Sequence, residues 1–192
     1  MGLAGVEIVL QHIDNQPEDL RLLMDWLPGE PLEKEKKREA IARAQKCGWV
    51  LNHLAQKRPE LLRPSHGRLV ELLDDIEDHS TLREVLKALN APEMRKEETA
   101  GVTELMFDLG CGWMADDEAP RAMVYLGIQM IGDRWKVLSP AQRREAFEGL
   151  EILLARKAQA GEKDPLSRAA GKVRERWRVR IWPEQNRQSA AE

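Results

Sequence analysis

Aromatic residues are scarce in this sequence, and the few present are unevenly drawn: six Trp against two Phe and one Tyr. Runs of β-branched and aromatic residues, the usual material of strands, are missing. That excludes a sheet as the organising element. Cysteine is limited to Cys47 and Cys111, neither within a Cys-x-x-Cys, so a disulfide framework and a thiolate zinc site are both excluded. No apolar run approaches the roughly 20 residues that cross a bilayer, and no membrane partner is expected. The opening residues, Met1-Gly2-Leu3-Ala4-Gly5-Val6, lack the basic start and long apolar core of a signal peptide. Val6 also stands where a myristoylation signal wants Ser or Thr. A soluble protein in the reducing cytoplasm is the expectation, with both thiols buried on helical apolar stripes.

Charge is plentiful but nearly balanced. Charged residues make up 33% of the 192 and the formal net charge is −3, so the molecule as a whole has no bulk attraction for nucleic acid or acidic lipid. Binding of that kind would need a local patch.

What is present is helix grammar. Apolar residues recur at steps of three and four almost throughout. Val6, Val9, Leu10 and Ile13 predict a first helix. A second is predicted to start at Asn15, where Asn15-Gln16-Pro17-Glu18 offers a cap and an early proline, and to stop at Pro28-Gly29. A long helix follows the charged stretch 30–38 and carries Ile41, Ala44, Cys47, Gly48, Leu51 and Leu54. Leu69, Leu72, Leu73 and Ile76 lead into an acidic turn at 74–78. Thr81-Leu82-Arg83-Glu84 has capping-box spacing. Val102, Leu105, Met106, Leu109 and Trp113 form a further stripe, ending in a second acidic turn at 116–118. Ser139-Pro140-Ala141-Gln142 is the clearest helix start, with Ser as cap, Pro first and Gln third. Asp164-Pro165 opens the last helix.

These elements recur. A shift of 42 lays Asp74-Asp75 on Asp116-Asp117, and Leu82, Leu86 and Leu89 on Val124, Ile128 and Ile131. A shift of 41 lays Leu105, Met106, Leu109 and Trp113 on Ala146, Phe147, Leu150 and Leu154. Helix pairs repeating every 40 residues or so are the period of HEAT and armadillo arrays. The runs Arg58-Pro59-Glu60-Leu61-Leu62-Arg63-Pro64 and Ala119-Pro120-Arg121-Ala122, with the helices around them, resemble bacterial HEAT-like, armadillo-type helical repeat proteins over residues 35–181. The resemblance implies an all-α fold of antiparallel helix pairs stacked as a superhelix that serves as a binding scaffold. The expected organisation is one domain over 1–182, with a repeat core at 34–182, an N-terminal helical cap at 1–30, and a flexible tail at 183–192.

Chemistry is hard to find. His12, His53, His66 and His79 lack the i, i+4 spacing of a helical metal site and read as surface or turn residues. Gly110-Cys111-Gly112 lies within a helical stripe and reads, with Gly48 and Gly127, as close helix packing. No catalytic residue, cofactor or metal is assigned, and no enzymatic activity is expected. The acidic turns read as helix caps complementing the dipole.

One basic concentration stands out: Arg174, Arg176, Trp177, Arg178 and Arg180, within the run 172–182. Its cations could meet phosphates and its tryptophans stack on bases. The same residues also fit a capping helix whose arginines cover apolar surface. Two functional expectations follow. The first is a non-enzymatic scaffold that binds another protein through a groove. The alternative is a nucleic-acid-binding HEAT-like protein, distantly resembling the DNA alkylation-repair glycosylases in its helical repeats and in placing Trp113 four residues before Asp117. Their Asn-Trp-Asp type motif is absent here.

Overall fold

The structure, a computed structural model, describes residues 3–32, 35–159 and 165–189, with side chains of 5–32, 35–159 and 165–180. All regular elements among them are helical. The chain divides into two compact units, 1–98 and 99–192, where the sequence reading groups 1–182 together.

The first unit is built on one long helix. α1 (Leu3–Asn15) leads through a 3₁₀ turn at Pro17–Asp19 into α2 (Leu20–Asp25), and both pack on α3 (Lys37–Lys57). Pro17 takes the first helical position as predicted, but Asn15 does not cap that turn. It closes α1 instead, its amide donating to the Gln11 carbonyl at 2.9 Å. Gly29 turns the chain with φ of 76°, a left-handed conformation that glycine adopts without a Cβ penalty. Arg43 then fastens the approach to α3, reaching Glu35 and the Glu30 carbonyl, both at 2.8 Å.

Between α3 and the next long helix lie short pieces: α4 (Pro59–Leu62), a turn at Arg63–Ser65, α5 (His66–Glu71) and a turn at Leu72–Asp75. His66, read as a surface or turn residue, follows the Arg63–Ser65 turn but is buried, because it begins α5 on the same face as the buried Leu69. α6 (His79–Leu89) then packs along α3. Gly48 permits the approach: a Cβ there would stand 3.3 Å from the Thr81 carbonyl oxygen. The α6 start differs from the Thr81–Glu84 box. Asp78 is the cap and accepts from the Thr81 backbone at 2.7 Å, so Thr81 sits in the first turn. Glu84 is freed to face α3, where Asn52 donates to it at 2.7 Å and Lys87 at 2.9 Å. Burial pushes the Glu84 carboxyl upward, but the bonds from Lys87 and Asn52 outweigh it and hold the group below its usual value.

The second unit contains α7 (Ala100–Ala115), α8 (Arg121–Arg134), α9 (Pro140–Gln159) and α10 (Pro165–Ser189). α7 packs on α8 through two facing glycines. A Cβ on Gly127 would lie 2.9 Å from the Gly110 Cα, inside any tolerable contact. The expected stripe of α7 is therefore rotated: Met106, Phe107, Gly110 and Met114 are buried, whereas Leu105, Leu109 and Trp113 are half-buried. Gly112 meets no neighbour and takes no part in packing. α9 begins with the reciprocal box read from sequence: Ser139 accepts from the Gln142 N–H at 3.2 Å, and Gln142 accepts from the Ser139 N–H at 2.9 Å. The core joins Phe107, Ile128, Ile131, Trp135, Leu150 and Trp177. α10 continues beyond Pro183 to Ser189, past the boundary read from the sequence; residues 190–192 lie outside the described ones.

Candidate binding groove

The basic run 172–180 lies on α10, and helical geometry sorts its members onto different faces. Trp177 turns inward. It is 2% exposed and its indole stacks on Trp135 with ring centroids 4.7 Å apart at 24°. The side chain read from sequence as a stacking platform for bases is thus already stacked within the core. The stripe Ala169, Val173, Trp177 explains this: steps of four keep the apolar residues on the side that meets α8 and α9. Trp182 lies beyond the described side chains.

Arg174 faces another way. It is paired with Glu175 at 2.7 Å and reaches Glu151 of α9 at 3.8 Å, so its charge is largely compensated at the α9–α10 seam. Arg178 is exposed one turn further along, outside the groove described next. Arg176 and Arg180 are the two members of the predicted patch that share a concave surface.

That surface is a groove of about 820 Å³ between α8 and α10. Arg168, Lys172, Arg176 and Arg180 form one wall, a row of four cations each four residues from the next. Ile128, Val173 and Trp177 contribute an apolar floor, and the α8 wall presents Tyr125, Gln129 and Asp133. Tyr125 is 43% exposed. Among the described residues, none of Lys172, Arg176 and Arg180 is ion-paired, in contrast to Arg174. Across the groove from these four cations the α8 wall carries one carboxylate, Asp133, so positive charge predominates on the α10 side among the described residues.

The sequence reading missed Arg168 and Tyr125, and included Lys172 in the basic run without assigning it to the site. The signal for the cations was available as a strict period of four, but local charge density drew attention to 174–180 instead. Arg143 does not extend the groove; it donates to the Trp135 and Lys136 carbonyls at 2.9 and 3.2 Å.

No protein-family model, curated protein or solved structure matches the chain.

The remaining candidate groups are engaged elsewhere. Trp113 packs against the core and lies 3.2 Å from where a Gly127 Cβ would stand. Asp117 pairs with Arg156. Asp116 accepts from the Glu118 N–H at 2.8 Å, closing its own turn. Among the described residues, no group of three or more His, Cys, Asp or Glu could hold a metal ion, and no helix is long and apolar enough to cross a membrane. Cys47 is buried and Cys111 half-buried. Burial pushes their thiols up to about 11 and about 12 respectively, Glu145 and Asp108 adding to the effect at Cys111.

Proposed function

We propose that this chain is a non-enzymatic interaction module, a HEAT-like helical repeat scaffold that takes a partner protein in the α8–α10 groove. The observation that carries the reading is the cation row beside an apolar floor. Interfaces combine a buried apolar centre with charged groups that fix orientation, and both are present side by side here. Repeat scaffolds generally bind through such concave faces.

Nucleic-acid binding is the second reading, because the same cations could meet phosphates. It is the weaker one. Trp177 is stacked on Trp135 and 2% exposed, so it offers no face to a base.

Site-specific photo-crosslinking tests the proposal. A benzophenone side chain at Gln129, inside the groove, is expected to give a discrete protein adduct in lysate of the source cell. The same group at the exposed Glu148 of α9 should not. The adduct should vanish when Lys172→Glu and Arg176→Glu are introduced together. Absence of a groove-specific adduct, or an adduct that nuclease removes, would overturn the reading.

A further inference from the structure

We infer that the occupant of the α8–α10 groove is an acidic amphipathic helix whose carboxylates repeat every four residues; this rests on the interaction-module reading above. Arg168, Lys172, Arg176 and Arg180 follow one another by one four-residue step of α10. A helix rises about 1.5 Å per residue, so successive cations originate about 6 Å apart along the axis. A second α-helix bearing Asp or Glu at i, i+4 and i+8 has the same pitch. Its acidic row can lie along the basic row with each carboxylate opposite a cation, and rows at this spacing are the ridges by which helices ordinarily pack. An extended peptide places same-side groups about 6.6 to 6.8 Å apart and loses register along the row.

The floor specifies the other face of the occupant. At the base of the groove the half-buried Val173 lies over the buried Ile128 and Trp177, with the exposed Tyr125 on the α8 side, so apolar side chains next to the acidic row would be buried against Val173 and Tyr125. That combination, an apolar strip flanked on one side by acids, is an amphipathic helix laid in a groove. The α8 wall supplies asymmetry. The groove residues of α8 include no cation, so a second acidic row facing α8 would find no counter-charge and one orientation of the partner about its axis is selected.

A nucleic-acid strand meets fewer of these features. Its phosphates could follow the cations, but its bases would find Tyr125 as the exposed ring while Trp177 stays locked on Trp135. The apolar floor would then remain unused.

Fluorescence anisotropy on the full chain tests the inference with three labelled probes. One is a helical peptide with glutamates at i, i+4 and i+8 beside a leucine row. The second has the same composition with its glutamates scattered around the helix, and the third is a single-stranded oligonucleotide of equal charge. The ordered peptide is expected to bind at least about tenfold more tightly than the scattered one and to weaken as salt rises. Lys172→Glu with Arg176→Glu should weaken it by a further tenfold or more, roughly, with the far-ultraviolet dichroism unchanged. Arg178→Glu, exposed but outside the groove, should change it by less than about twofold. Equal binding of both peptides would overturn the register, and tighter binding of the oligonucleotide would overturn the occupant. If neither peptide binds while the Gln129 adduct still forms, this inference fails and the interaction-module reading survives. Loss of the adduct as well removes both.

Discussion

Asn52 on α3 donates to the carboxylate of Glu84 on α6 at 2.7 Å, and Glu84 is only 7% exposed. The pair is held within a wider set: Gln56 donates to the Asn52 side-chain oxygen at 2.8 Å, and Arg83 and Lys87 reach the other Glu84 oxygen. Removing one partner from such a network leaves the remaining polar group desolvated and poorly satisfied. Asn52→Ala is therefore expected to cost about 1–3 kcal/mol in urea unfolding. A loss below about 0.3 kcal/mol would mean that the bond contributes little to the α3–α6 contact.

The same carboxylate sets a pH dependence. Glu84 titrates below its ordinary value in the folded chain, so the stability it contributes is present above the unfolded carboxyl range. It is lost as pH falls from about 4.3 through the lower folded value. Between about pH 6 and pH 3 the wild type should lose more unfolding free energy than Glu84→Gln. Parallel losses in the two proteins would remove Glu84 as a source of the acid sensitivity.

Two glycine substitutions should act in opposite directions. Gly127→Ala places a methyl 2.9 Å from the Gly110 Cα, a backbone atom that cannot step aside. A loss of about 1–3 kcal/mol is expected despite the better helix propensity of alanine. Gly171→Ala adds its methyl where nothing lies within 4 Å, and a gain of about 0.5–1 kcal/mol is expected. Thermal melts of both variants measure this, and a stabilising Gly127→Ala would show that α7 and α8 are less closely packed.

The thiols should be inert while the chain is folded. Cys47 at about 11 and Cys111 at about 12 are almost wholly protonated near neutral pH, and the thiolate is the reactive form. Labelling by a thiol reagent at about pH 8 should proceed at least about tenfold more slowly in the native protein than in urea. The thiolate fraction favours Cys47 and exposure favours Cys111, so the order of their native rates shows which of the two factors dominates.

Local signals reached some of this fold directly. The Ser139 box is self-contained, since cap, proline and glutamine lie within four consecutive residues and the structure needs nothing else to form it. Thr81-Leu82-Arg83-Glu84 matches the same pattern, yet Asp78 caps three residues earlier and Glu84 serves Asn52 on a distant helix. Two competing caps cannot be ranked without knowing what α6 packs against. The face of α7 was equally ambiguous, because apolar residues surround that helix and Gly127 on α8 decides which side turns inward. For the groove, the cation row was written in the period of 168, 172, 176 and 180, but its α8 wall was not. Nor was the fate of Trp177, whose partner Trp135 is remote in sequence.

Arg156 carries a last consequence. From α9 it donates to the Ala115 carbonyl at 2.8 Å and to the Met114 carbonyl, and it pairs with Asp117. Helices commonly close their final turn with a neighbouring glycine; α7 borrows its terminator from the next helix but one. Its last turn is therefore a non-local structure, completed when α9 arrives. In hydrogen exchange, the amides of residues 112–116 should open together with α9, as one cooperative block.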